Sequence, residues 1–184
     1  MDFTNKHQRH YFFLYETGRE TPWKYTELEP GNEIFISVCS TFAGHVVRGN
    51  PTENLDGKVR HNLGTVVELA WERQANGTNR SWGYISLLEG CDGGAVLTST
   101  DGSGVTTGFS KNILVGAPFK ALSNKTDGSV VLDRTVEPGA NVAALKYELC
   151  LLDPLREAFI IQTFRPVVVT ENGRWDLTFY PGTY

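Results

Sequence analysis

"PVVVTENGRWDLTFY", residues 166–180, is the stretch that decides the fold class. A valine run of the buried-strand type meets Asn172-Gly173, and beyond it Trp175, Leu177 and Phe179 alternate with Asp176 and Thr178. Period-two alternation on the far side of an Asn-Gly pair predicts a β-hairpin. The same grammar repeats outward along the chain. Pro30-Gly31, Asn76-Gly77, Asp92-Gly93, Asp101-Gly102, Asp127-Gly128 and Pro138-Gly139 punctuate short runs rich in β-branched and aromatic residues. In "EIFISV" (33–38), Ile34, Ile36 and Val38 take one face and Phe35 and Ser37 the other. Many short strands between turn residues predict a mainly β sandwich or barrel, with long loops in the Gly-, Ser- and Thr-rich stretch 98–129. One short helix is predicted near the C-terminus, in "DPLREAFIIQTF" (153–164): Asp153 caps it, Pro154 suits its first position, and Leu155 and Phe159 form an i, i+4 apolar pair. No repeat or linker interrupts the chain, so residues 1–184 are expected to form one domain.

Bulk properties exclude several function classes. At 184 residues the chain is long enough to bury a core, and 40% hydrophobic with 21% charged residues is ordinary for a folded domain. A net charge of −4 and scattered lysines and arginines supply no basic field for phosphates, so nucleic acid is not an expected partner. No apolar run approaches the ~20 residues that span a bilayer, so no membrane partner is expected either. Cys39, Cys91 and Cys150 are widely spaced, with neither a zinc rhythm nor a disulfide framework. With no signal segment in "MDFTNKHQRHYFF", a cytoplasmic chain is expected, or a secreted one if Met1 stands where a signal was removed. Three N-x-S/T sequons, at Asn76, Asn79 and Asn124, point the other way. His7, His10, His45 and His61 have no metal spacing, and there is no dinucleotide fingerprint or phosphate loop. No cofactor or metal is expected.

Chemistry concentrates in two stretches. In "TVVELAWE" (65–72), Thr65, Val67, Leu69 and Trp71 share one face, and Val66, Glu68, Ala70 and Glu72 the other. Glutamates alternating with Val and Ala suit a half-sheltered wall as well as an exposed sheet face. In "SWGYISLLEGCDGG" (81–94), a strand over Tyr84–Leu88 delivers Glu89 and Asp92 to a glycine-rich turn. Turn chemistry accounts for Asp92 but not for Glu89. Trp82 and Tyr84 fit either ligand stacking or the core. Cys91, beside acids, is expected to be a poor nucleophile. Two carboxylates hydrolyse a glycosidic bond when about 5–5.5 Å or about 6.5–9.5 Å apart, and Glu68 and Glu89 are the candidate catalytic pair.

Taken in order, "YTELEPGNEIFISVCSTFAGHVVRG", "RHNLGTVVELAWE", "SWGYISLLEGCDGG", "CLLDPLREAFIIQTFRP" and "RWDLTFYPGTY" resemble successive segments of the thaumatin-like proteins. The resemblance implies a flattened antiparallel β-sandwich with an acidic cleft, Glu68 and Glu89 in that cleft, and Arg60 near the family's cleft arginine. It makes a polysaccharide such as β-1,3-glucan the expected ligand, with Trp82, Tyr84 and Asp92 beside it. The alternative it leaves open is an enzyme, either a weak endo-β-1,3-glucanase or a cytosolic isomerase or cyclase acting on a small molecule. Two departures stand out. Most of the family's cysteines are missing, with Arg9 and Tyr180 at its closing bridge, and Gly83 stands where the pattern carries a further acid.

Overall fold

The computed structural model describes residues 2–5, 10–55 and 63–182. In chain order these form β1 (Asp2–Asn5), β2 (His10–Glu16), β3 (Lys24–Leu28), β4 (Glu33–Phe35), β5 (Ala43–Gly49), the single turn α1 (Pro51–Asn54), β6 (Val66–Arg73) and β7 (Asn79–Ser86). There follow β8 (Gly93–Ser99), β9 (Thr106–Phe109), β10 (Leu122–Asn124), β11 (Val130–Leu132), α2 (Val142–Leu151), β12 (Val168–Thr170) and β13 (Trp175–Gly182). A six-stranded antiparallel sheet runs β12-β7-β6-β5-β2-β3, and a five-stranded sheet runs β4-β1-β13-β8-β9. The second sheet is antiparallel apart from β1, which lies parallel to β13 and ties the start of the described chain to its end.

The predicted alternation is what joins the two sheets. Phe12 and Leu14 of β2, Val67, Leu69 and Trp71 of β6, and Ile85 of β7 share one core with Ala95 and Leu97 of β8 and Trp175, Leu177 and Phe179 of β13. Phe12 and Phe179 meet across it at 4.7 Å between ring centroids. Burial of so many aromatic side chains supplies the dominant stabilisation, and all three cysteines are free thiols. Ile34, Ile36 and Val38 turn inward as expected, while Phe35 is exposed.

Three sequence expectations need correction. Residues 166–180 are not a hairpin: β12 pairs with β7 in one sheet, and β13 pairs with β8 in the other. Asn172-Gly173 is a corner that crosses between sheets, held by the Trp71 indole N–H donating to the Gly173 carbonyl at 2.7 Å. The predicted helix at 153–164 stops after one turn. The Asp153 N–H donates to the Glu157 carboxylate, and the Leu155 N–H donates to Asp153 Oδ1, which caps that single turn. Phe159 is then drawn against the end of β7, its N–H donating to Ile85 O and its carbonyl accepting from Leu87 N. Tertiary pairing thus wins over local helix propensity. The real helix, α2, begins just upstream at an Asn141 cap, whose Oδ1 accepts from the Ala143 and Ala144 amides. The strand bearing Trp82 and Tyr84 also ends at Ser86 rather than Leu88. Among the described residues no helix is long and apolar enough to cross a membrane.

Cys91 sits wholly inside, with its sulfur 3.6 Å from Thr65 Oγ1. Burial first, then the Glu148 carboxyl, pushes its thiol up to about 12. Cys39 and Cys150 are exposed. Maleimide is therefore expected to label two thiols quickly in the native protein and the third only on unfolding, read by mass spectrometry. Fast labelling of Cys91 would contradict this packing.

Candidate functional site

The face of the six-stranded sheet turned away from the sandwich core carries a row of polar and aromatic side chains. Strand register places Tyr15 opposite His45, His45 opposite Glu68, and Glu68 opposite Tyr84. Tyr15 and His45 stack at 5.2 Å, and the Asn54 amide donates to the Tyr15 hydroxyl at 3.1 Å. At the Tyr15 end the face is closed by a small apolar cluster of Phe13, Tyr15, Val47 and Val66. At the Glu68 end it opens into a groove.

That groove has two adjoining hollows. One, of about 230 Å³, is lined by Glu68, Ala70, Trp82, Tyr84 and Arg165 among others. The next, of about 280 Å³, is lined by His45, Val66, Glu68, Ser86, Leu88 and Glu89. Thr17 and Glu68 stand on the divide, lining both. Glu68 is half-buried, and burial raises its carboxyl above the ordinary range although Arg165 pulls it back. Burial and then Glu68 raise the Tyr84 phenol, again opposed by Arg165. The Glu89 carboxylate meets the Arg134 guanidinium at 3.3 Å.

The structure thus brings Glu68, Glu89, Trp82 and Tyr84 to one groove. Asp92 is not with them. It is 2% exposed, inside the protein, ion-paired to Arg48 at 3.1 Å and Lys125 at 2.6 Å, and accepts from the Thr65 N–H at 3.1 Å. Burial alone would raise its carboxyl, but the two cations and this hydrogen bond hold it down at about 2. A carboxylate so enclosed braces the fold and has no face for a ligand, which corrects its expected binding role. Arg60, like His7, Arg9 and His61, lies outside the described residues. The groove is also not uniformly acidic, because Arg165 and Arg134 stand beside its two acids.

Sequence reasoning missed Arg165 and His45. Arg165 arrives from the loop before β12, whose path no local pattern specifies, and His45 becomes notable only once strand register sets it beside Glu68. What the fold and groove define is a mainly antiparallel β-sandwich protein with a half-sheltered carboxyl beside aromatic side chains. Compared with known proteins, the chain matches no family model and no curated sequence.

Proposed function

We propose that this protein is a thaumatin-like ligand-binding module whose groove holds a carbohydrate, of which β-1,3-glucan is the first to test. The observation that carries the proposal is Glu68, half-buried in one groove with Trp82 and Tyr84. A carboxyl group accepts from sugar hydroxyls, and aromatic walls shelter the apolar faces of sugar rings from water. The two hollows adjoin at Thr17 and Glu68, which suits an elongated ligand better than a compact one. Exposed free thiols at Cys39 and Cys150 favour a reducing compartment for this work.

One observation favours a second, enzymatic reading. Glu68 and Glu89 line the same hollow in unlike settings, the first desolvated and the second ion-paired to Arg134. Unlike settings are how two carboxyl groups divide the roles of acid and base. In that reading Glu68 donates the proton to the leaving oxygen, and Glu89 acts as nucleophile or activates water on a glucan. The same pair could instead serve proton transfer in a small-molecule isomerisation or cyclisation.

Pull-down on insoluble β-1,3-glucan, with product analysis on soluble glucan, tests both readings using wild type beside Glu68→Gln. Binding is expected to weaken at least about tenfold in the variant, because one charged hydrogen-bonding partner is lost. Products from wild type alone would make the protein a hydrolase. Unchanged binding in the variant would remove the groove as the site, and no binding by wild type would remove the glucan reading.

A further inference from the structure

The cation at the Glu68 end of the groove is held in an unusual way. Arg165 is exposed, and its guanidinium lies 5.1 Å from the centre of the Tyr84 ring and 4.9 Å from that of Phe159. Those rings meet edge to face at 87°, forming an aromatic corner that restrains the side chain without occupying its N–H donors. The neighbouring arginines are differently engaged. Arg80 lies over Trp82 but pairs with Glu171 at 3.0 Å, Arg134 pairs with Glu89, and Arg48 with Asp92. Among the described residues no carboxylate lies within ion-pair distance of Arg165. Glu68 is near enough to feel its charge, yet forms no ion pair with it.

Arg165 is also a junction. It lines the Glu68 hollow and a third hollow of about 490 Å³, which runs between the outer strands β9 and β12 past Thr107, Leu155 and Arg156. Glu68 and Thr17 join the first two hollows, and Arg165 joins the first and third. Along that path the charge changes sign. Glu89, paired with Arg134, and Glu68 come first, then Arg165 and Arg156, the latter next to Glu157, whose carboxylate accepts a backbone hydrogen bond from Asp153.

We propose that the groove takes an extended saccharide carrying a uronate, with the uronate carboxylate seated on Arg165 and neutral rings running past Glu68 toward Glu89. A planar guanidinium restrained at its face presents a fork that matches a carboxylate in two parallel hydrogen bonds. At the other end Arg134 is already taken up by Glu89, so one acidic terminus on a neutral chain fits better than a uniformly anionic polymer. This inference rests on the carbohydrate reading above and specifies its ligand class.

The test is isothermal titration of the full chain with two matched probes: a β-1,3-glucan hexamer oxidised to a uronate at its non-reducing end, and the unoxidised hexamer. The uronate form is expected to bind about tenfold more tightly or better, the worth of one charge-assisted contact. Arg165→Gln is expected to erase that preference, so that the variant binds the two hexamers equally. Arg165→Lys keeps the charge without the fork and is expected to retain only part of the preference, which covers the case in which the glutamine variant fails to fold. Equal affinity of wild type for both probes, or a preference that survives in Arg165→Gln, would overturn the inference and leave the carbohydrate reading standing. Binding of neither probe would overturn both.

Discussion

Replacing Asp92 with alanine is expected to destabilise the protein by about 3–5 kcal/mol, the cost of stranding buried charge. The carboxylate is the common partner of Arg48 and Lys125, whose side chains are 4% and 7% exposed. Arg48 also donates to the Tyr180 carbonyl at 2.9 Å and lies over the Phe179 ring, so it cannot withdraw to water without disturbing β13. The cluster joins three regions distant in sequence: β5, the turn after β7, and the loop between β10 and β11, which pair antiparallel. The expected loss therefore reflects two cations left without their anion more than the intrinsic worth of the pair. Replacing all three residues with apolar ones of similar size is accordingly expected to recover much of the loss. The measurement is chemical denaturation of the single and triple variants. A loss below about 1 kcal/mol for Asp92→Ala would show that water reaches the site.

The same cluster sets how stability responds to acid. The Asp92 carboxyl titrates near 2 in the fold, below its ordinary 3.8. Its contribution is therefore full above about pH 4 and is lost as pH falls through about 2. His10 acts earlier and with the same sign. Burial first, then Arg48 and Lys125, lower its imidazole to about 4, with Asp92 opposing them. Between its ordinary 6.5 and 4 the unfolded chain takes up a proton that the folded chain refuses, so stability falls as pH drops through that window. His10→Gln is expected to flatten the slope between pH 6.5 and 4 and leave the deeper Asp92 step in place.

Asp92 also shows where sequence legibility ends. Next to Gly93-Gly94 it has all the marks of a turn residue, and nothing nearby announces that Arg48 and Lys125 will close over it. Period-two patterns were legible because they depend only on neighbours along the strand: the inward faces of 65–72 and 175–179 and the half-sheltered side of Glu68 all follow from alternation. Asn172-Gly173 was legible as a turn but not as a change of sheet, since that choice is made by Trp71, far away in the chain. The helix went to the wrong segment because its Asp153 cap is real but its continuation is captured by β7. Meanwhile α2 buries a glutamate, Glu148, beside Ala144 and so lacks a clean apolar stripe. Of the groove, the sequence-visible half comes from strands β6 and β7, and Arg165 comes from a loop.

Gly83→Asp is expected to be the most damaging single change on the strand that carries the groove aromatics. This substitution puts an acid where the thaumatin-like pattern carries one. Trp82 and Tyr84 line the groove, so the residue between them faces the other way. There a Cβ would run into Leu97 Cδ2 and lie 2.9 Å from Leu69 Cδ2, both side chains of the sandwich core. An alanine only crowds two flexible leucines, at a cost of about 1–3 kcal/mol. An aspartate adds a carboxyl that must be desolvated between the sheets, where the nearest side-chain atoms are leucine carbons. Desolvation of that kind raises a carboxyl by up to ~3–5 pKa units, so at pH 7 the charge is expected to add up to about 4 kcal/mol to the cost of crowding. The sign of its pH dependence is opposite to that of Asp92. With the folded value raised, the penalty is complete above that value and eases as pH falls toward the ordinary carboxyl range. Gly83→Asn, similar in shape and uncharged, is expected to be destabilised with no such recovery. Chemical denaturation of the three variants at pH 5 and pH 7 separates crowding from charge. If Gly83→Asp folds within about 1 kcal/mol of Gly83→Ala at pH 7, the carboxyl reaches water, and β7 would have to present residue 83 rather than Trp82 and Tyr84 to the groove.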